Sequence, residues 1–123
     1  MSDMRFDPHD MWAKMKNSDG LVPAITQDFE NNDVLMMAYM NEEAFCLTCE
    51  TGYMHYYSRS RDTLWKKGET SGHVQKVIEA YIDCDRDTLL YKIDQTGAAC
   101  HTGNRTCFYT ELKNWDITVN EEE

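Results

Sequence analysis

Basic side chains are scarce in this chain. Twelve lysines and arginines stand against 22 aspartates and glutamates, for a formal net charge of −10. A surface of that sign repels phosphate backbones, which excludes a general nucleic-acid binder. Long apolar runs are missing too. No stretch approaches the ~20 residues that a membrane-spanning helix needs, and residues 1–7 lack the basic-then-apolar order of a signal peptide. The expectation is a cytoplasmic protein, whose cysteines stand as thiols or metal ligands rather than disulfides. There are five (Cys46, Cys49, Cys84, Cys100 and Cys107), an odd number that also argues against a disulfide framework. Internal repeats and low-complexity tracts are absent. What remains, 123 residues of which 41% are hydrophobic, is enough for one domain with its own core.

The residues that could carry chemistry gather between Asp83 and Cys107. The segment opens Asp83-Cys84-Asp85-Arg86-Asp87 and closes Cys100-His101-Thr102-Gly103-Asn104-Arg105-Thr106-Cys107. Thiolates and imidazoles are zinc ligands, whereas carboxylates suit hard ions such as magnesium. The reading is a metal-dependent active site. In an extended chain successive side chains point to opposite faces. Asp83, Asp85 and Asp87 would then line one face, able to hold one hard cation. Cys84 would stand alone on the other, free to meet Cys100 and Cys107 elsewhere in the fold. The bland alternative is a solvated acidic turn with a buried cysteine behind it. The Asp-x-Asp-x-Asp pattern also resembles the start of a calcium-binding loop. That loop wants Gly at its sixth position and Glu at its twelfth, where this chain has Thr88 and Asp94.

Asp7 followed by Pro8 predicts the N-cap and first residue of a short helix running to about Lys16, with Met11, Trp12 and Met15 on one side. Residues 22–29 and 34–40 read as strands joined by a turn at Glu30-Asn31-Asn32-Asp33. Asn41 caps a second helix, with Glu42 and Glu43 in its first turn, where the helix dipole favours negative charge. Gly52 stops it. Cys46 and Cys49 fall in mid-helix with no second cysteine pair. A redox pair sits instead at a helix N-terminus that lowers the thiol pKa, so both read as small core or surface residues. Residues 53–57 read as an aromatic-rich strand, 64–65 as a brief one, and 74–82 and 88–93 as two more. Strands outnumber helices. The expected fold class is α+β, mainly β: a compact antiparallel or mixed sheet with one or two short helices. Residues 1–20 read as an N-terminal helical extension, 21–112 as the body of the domain, and 113–123 as an acidic tail.

The few basic residues are unevenly spread. Arg59, Arg61, Lys66 and Lys67 fall within nine positions, a cationic patch that could bind a phosphorylated small molecule. A handful of solvated loop charges is the alternative. The loop Lys66-Lys67-Gly68-Glu69-Thr70-Ser71-Gly72 combines glycines, hydroxyls and lysines, the ingredients of phosphate recognition by backbone and side-chain donors. Its glycine spacing is not that of a Walker loop.

Taken in order, these motifs are similar to those of the phosphoribosyl-AMP cyclohydrolases of histidine biosynthesis. The resemblance is carried by Met36 to Asn41 with the acidic helix start, Ser58-Arg59-Ser60-Arg61, the run from Trp65 to Gln75, the Asp83 to Asp87 motif, and Gly97 to Phe108. It spans about Leu21 to Tyr109. It implies hydrolytic opening of the adenine ring of 1-(5-phosphoribosyl)-AMP at N1–C6. It implies zinc on Cys84, Cys100 and Cys107, magnesium on Asp83, Asp85 and Asp87, and a homodimer with the site at the interface. It also implies substrate contacts from Arg59, Arg61, Trp65, Lys67, Glu69, Thr70, Ser71 and His73. Cys46 and Cys49 match no functional position of the family. Residues 1–20 and the acidic tail fall outside its pattern, and the chain is too short for the fused pyrophosphohydrolase domain of some members.

The residues suit that chemistry. A ribosyl group on N1 makes C6 of the purine electron-poor. Zinc with three protein ligands keeps a fourth place for water and lowers its pKa. Three thiolates leave zinc a weak Lewis acid, so a nearby base helps. His101 adjoins a ligand, and imidazole is the side chain best suited to moving protons at physiological pH, so it is the expected proton shuttle. His55, in an aromatic strand, reads as packing, and His9 as solvated. Two readings compete. A structural zinc-binding interaction module would close a four-ligand site with Cys84, Cys100, His101 and Cys107, but those gaps match no common zinc-finger spacing. A zinc-dependent nucleobase deaminase would carry His-x-Glu and Pro-Cys-x-x-Cys, which are absent.

Overall fold

The local signals at the helix ends act as the sequence predicts. In the computed structural model, which describes residues 7–114, the Asp7 carboxylate accepts from the His9 N–H at 2.9 Å and opens α1 (Pro8–Ala13). The helix ends short of Lys16, because the Lys14 N–H closes back on the Met11 carbonyl and the Met15 N–H on that of Trp12, the tighter i to i−3 spacing. Asn41 caps α2 (Glu42–Thr51) by accepting from Ala44 N–H at 2.9 Å, and Gly52 ends it at φ 80°. Left-handed backbone there is open to glycine without steric penalty. The expected acidic tail lies outside the described residues from position 115 on.

Six strands make one sheet: β1 (Val22–Asp28), β2 (Val34–Met40), β3 (His55–Ser58), β4 (Thr63–Lys66), β5 (Gln75–Ile82) and β6 (Leu89–Gln95), in the order β4-β3-β2-β1-β6-β5. A single 3₁₀ turn follows at Leu112–Asn114. Neighbours are antiparallel except β1 and β6, which run parallel with Ala24 opposite Leu89 and Asp28 opposite Ile93. The sheet is therefore mixed, and with two short α-helices the fold is α+β and mainly β. Parallel pairing fixes polarity: the C-terminal ends of β1 and β6 lie at the same edge of the sheet.

The core sits between α2 and the sheet. Leu35, Met40, Met54, Tyr56 and Ile93 are fully buried, each such side chain contributing roughly 1.5–3 kcal/mol of transfer free energy. Trp12 packs on Phe45 with ring centroids 5.8 Å apart and ties α1 to α2. The buried Tyr56 hydroxyl cannot be left unpartnered at low cost; it donates to Gln75 Oε1 at 2.6 Å. Strand β5 is an edge, with Ile78, Tyr81 and Ile82 exposed. Among the described residues, no helix is long and apolar enough to cross a membrane.

One geometric expectation fails. Residues 83–87 are not extended. Strand β5 ends at Ile82, the Arg86 N–H bonds to the Asp83 carbonyl at 3.0 Å, and Arg86 takes φ 63°. The segment is the tight turn that joins β5 to β6, so alternation of faces does not apply there.

Candidate active site

The polar loop after β4 is folded by its glycines. Gly68 has φ +83°, and a β-carbon there would stand 2.5 Å from the His73 carbonyl carbon, so the loop closes on itself only with glycine at this position. Gly72 N–H bonds to Gly68 O at 2.8 Å, and Ser71 Oγ accepts from His73 N–H at 3.2 Å. The loop faces a cleft of about 430 Å³. Arg61, Trp65, Lys67, Glu69, Thr70, Ser71 and His73 all line it. Cys100 and His101 reach the same cleft from the far end of the chain. Arg59 does not line it. Its guanidinium lies 4.2 Å from the centre of the Tyr39 ring, in an adjoining hollow that shares Arg61 and Trp65. Glu69 is partly engaged, accepting from the Lys66 N–H at 3.4 Å.

Residues 99–107 fold as a compact loop. Ala99 N–H bonds to Arg105 O and Cys100 N–H to Asn104 O, both at 3.1 Å, and Cys107 N–H bonds to Leu35 O at 2.7 Å. These bonds bring the Cys100 and Cys107 thiols together, within hydrogen-bonding reach of each other. Desolvation pushes the Cys100 thiol up. The Thr102 hydroxyl, donating to Sγ at 3.0 Å, together with the Thr102 N–H, Cys107 and the Lys67 charge, outweighs it and leaves Cys100 below the usual thiol range. Cys107 goes the other way, pushed up to about 11 by burial and by the neighbouring Cys100. Lys67 donates to the Ala99 carbonyl at 2.5 Å, and burial holds its ammonium below the usual lysine range. His101 is exposed in the turn of this loop.

The carboxylates converge by a route the sequence did not reveal. In the β5–β6 turn, ligand oxygens of Asp83, Asp85 and Asp87 lie within 4.8 Å of one another, and all three residues are exposed. Backbone N–H groups, the Asp87 N–H first, hold Asp83 below the ordinary carboxylate range. Among the described residues this is the one set of three His, Cys, Asp or Glu side chains gathered so closely. Cys84 therefore does not join Cys100 and Cys107 within one chain. The polarity of the sheet explains why. Cys84 lies beyond Ile82 and Leu89, while Cys107 hangs on Leu35, beside the opposite ends of β1 and β6. At ~3.3 Å per residue, the length of β6 puts roughly 20 Å between those two ends.

His55 is buried, with Nδ1 2.9 Å from Tyr53 O, a packing role as expected. Cys46 and Cys49 are also buried, and burial pushes both thiols up to about 11. His9 is exposed but not merely solvated: its Nδ1 lies 2.8 Å from Glu42 Oε2, which raises its pKa. Sequence reasoning missed Gly97, packed against the His73 ring. It missed the chain from Tyr56 through Gln75 to Gln95, whose amide donates to the His73 and Thr96 carbonyls. It also missed Arg105, which grips Asp28 and Asp33. No local signal could have paired Arg105 with carboxylates more than seventy positions away.

With this geometry in hand, the chain can be compared with known proteins. The family model for phosphoribosyl-AMP cyclohydrolase matches residues 36–109, more than half of the chain. A phosphoribosyl-AMP cyclohydrolase of Haloquadratum walsbyi is 59% identical over 102 residues, covering 83% of this chain and 77% of that protein. One from Archaeoglobus fulgidus is 59% identical over 98 residues, covering 80% and 91%. One from Cereibacter sphaeroides is 56% identical over 116 residues, covering 94% and 95%.

Proposed function

Because the chain belongs to the phosphoribosyl-AMP cyclohydrolase family, we propose that its cleft opens the adenine ring of 1-(5-phosphoribosyl)-AMP by hydrolysis at N1–C6, with zinc and magnesium as cofactors. The enzyme class and its place in histidine biosynthesis follow from the family. The observation that carries the finer reading is the content of the cleft. Cationic Arg61 and Lys67, the loop hydroxyls of Thr70 and Ser71, an indole face at Trp65, and Cys100 with His101 meet around one cavity. Cations and hydroxyls suit phosphate, the indole suits a purine, and the thiol suits zinc.

The donor sets fit two different metals. Three exposed carboxylates within 4.8 Å suit a hard ion that keeps several waters, as magnesium does. A close pair of thiols, one of them biased towards thiolate, suits zinc. Two thiols are too few for the usual catalytic site with three protein ligands. We infer that Cys84 of a second copy supplies the third, which makes the enzyme a homodimer with shared sites. The exposed Ile78, Tyr81 and Ile82 on edge strand β5, next to the Cys84 turn, support a subunit contact there. Zinc held by these cysteines would supply the acidity that makes a water nucleophilic at neutral pH.

The chain's own side chains do the rest. Arg61, Lys67 and the loop donors hold phosphate, and Trp65 sets the purine plane. Glu69 and His73 border the ring. Arg59, outside the cleft, fixes Tyr39 and holds the neighbouring hollow open to the second phosphoribosyl group. His101 takes a proton as water adds to C6 and returns it to N1 as the C6–N1 bond breaks, leaving a carboxamide on the imidazole. An exposed Cys84 that stays a thiol calls for a reducing compartment, the cytoplasm.

The deciding experiment is an ultraviolet assay. Purified protein supplied with zinc and magnesium should change the spectrum of phosphoribosyl-AMP, and removing either metal should stop the change. An unchanged spectrum with both metals bound would overturn the proposal.

A further inference from the structure

We infer that Arg105 is a positioning residue for the zinc-binding cysteine pair, and that the β1–β2 turn is the socket in which it seats. This rests on the reading of Cys100 and Cys107 as zinc ligands. Arg105 stands between them on a loop that belongs to no strand or helix. Its guanidinium forks onto two carboxylates, Nη2 to Asp28 Oδ2 at 2.6 Å and Nη1 to Asp33 Oδ2 at 2.8 Å.

The socket is held by hydrogen bonds of its own. Asp28 Oδ1 accepts from Glu30 N–H at 2.8 Å, leaving Oδ2 for the guanidinium. Asp33 N–H is held by Asn31 Oδ1 at 2.9 Å, and the turn is closed by Asp28 N–H to Asp33 O and Asn32 N–H to Asp28 O, both at 2.8 Å. Asp28 is mostly buried, with 14% of its side chain exposed, whereas Arg105 keeps 46% of its own in solvent, so the carboxylate is the fixed half of the pair. The fork of a guanidinium fixes direction as well as distance, which a lysine ammonium does not.

The grip is transmitted to the thiols through backbone. Arg105 O accepts from Ala99 N–H, beside Cys100, and Cys107 N–H, two residues on, bonds to Leu35 O. Thr106 Oγ1 donates to Val34 O at 2.8 Å between them. The cysteine loop is thus fastened to the β1–β2 hairpin by backbone bonds on one side and by Arg105 on the other. Partners bonded directly to metal ligands typically matter by about 10–100-fold in metal affinity; Arg105 acts one step further out, through the backbone of the loop that carries both thiols.

The test is zinc affinity of the full-length, metal-stripped protein, measured by competition with a chromophoric chelator. The variants are Arg105→Met, Arg105→Lys, Asp28→Asn and the exposed-site Asp33→Asn, beside wild type and Cys107→Ala. Arg105→Met should bind zinc about tenfold more weakly, the lower end of the range for direct partners, while circular dichroism stays unchanged. Arg105→Lys should restore little, and Asp33→Asn should show a smaller loss. If Arg105→Met does not fold, Asp33→Asn still decides. The Arg105→Met, Asp28→Asn double variant should be no worse than the poorer single, because both break one contact. Cobalt substitution should move the thiolate charge-transfer band in Arg105→Met, a signature that general loosening of the fold would not give. Wild-type affinity in Arg105→Met, or in Asp33→Asn where the former is unfolded, would overturn the inference while leaving the zinc reading intact. Equal zinc binding by wild type and Cys107→Ala would overturn both.

Discussion

Gly97 lies against the ring of His73: a β-carbon on Gly97 would stand 2.5 Å from His73 Cδ2 and 2.7 Å from Nε2. The glycine also has φ +72°, a conformation that side-chain-bearing residues rarely adopt. Its absence of side chain therefore both permits the turn after β6 and sets where the imidazole sits in the cleft. Gly97→Ala should lower stability by about 1 kcal/mol or more from backbone strain and lower kcat/KM further, because the ring must move. Denaturant unfolding and steady-state kinetics on one preparation separate the two. Unchanged kcat/KM in a destabilised variant would remove the His73 ring from substrate recognition.

His101 is exposed, lines the cleft and adjoins Cys100. His101→Ala should keep its zinc and lose about 10²–10⁴-fold in turnover, the usual contribution of a general acid–base group. Metal analysis and rate are read on the same sample. Loss of zinc from this variant would favour the closed four-ligand site of a structural module.

The cysteines should divide by chemistry. Cys46 and Cys49 have thiols raised to about 11 by burial. A raised thiol pKa favours the neutral, unreactive form below that value, so at pH 8 only about one in a thousand would be thiolate. In metal-stripped native protein, iodoacetamide at pH 8 should label Cys100, whose pKa is lowered, well before either helix cysteine. Peptide mass spectrometry gives the order. Cys46→Ala and Cys49→Ala should keep full zinc content, whereas Cys84→Ala, Cys100→Ala and Cys107→Ala should lose it.

Much of the fold was legible because its signals are local. Asp7, Asn41 and Gly52 cap and stop helices through bonds within four residues, and those boundaries hold. Residues 34–40 form the strand expected, paired antiparallel to β1 across a short turn. The site was legible as a set of residue types but not as an arrangement. The aspartates were grouped correctly for the wrong reason: a turn gathers them, not the pleat of a strand. Whether Cys84 can meet Cys100 depends on the polarity of β6 against β1, and Arg105 depends on a turn contributed by the opposite end of the chain. Both are long-range pairings, invisible to periodicity and to caps.

Asp85→Asn should raise the magnesium concentration needed for half-maximal activity while leaving zinc content alone, since Asp85 belongs to the carboxylate cluster and the three ligands proposed for zinc are all cysteines. The same turn sets a pH dependence. Asp83 is held below its ordinary pKa by backbone N–H groups, that of Asp87 first. A depressed carboxylate contributes its stabilisation above the unfolded value of about 3.9 and loses it as pH falls through the lower folded value. The turn should therefore keep its shape to below pH 4, followed by amide exchange at Asp87. A magnesium requirement no higher than that of the parent would leave the triplet as a solvated turn.

Two chains should be needed for one site. Within a chain, Cys84 stands roughly 20 Å from the end of the sheet that carries Cys100 and Cys107, at ~3.3 Å per residue of strand. No side-chain rotation spans that gap. If Cys84 of one subunit meets Cys100 and Cys107 of the other, Cys84→Ala and Cys107→Ala homodimers should both be inactive, each lacking one ligand at both sites. Unfolding the two variants together in equal amounts and refolding them makes mixed dimers. By two-fold symmetry, one site of each mixed dimer then carries both lesions and the other carries neither. With random pairing, half of the dimers are mixed, so about a quarter of all sites should recover activity and zinc. Subunit exchange is checked independently by mass-tagging one variant. Exchange without any recovery would require all three cysteines to come from one chain, and hence a large rearrangement of the β5–β6 turn on binding metal.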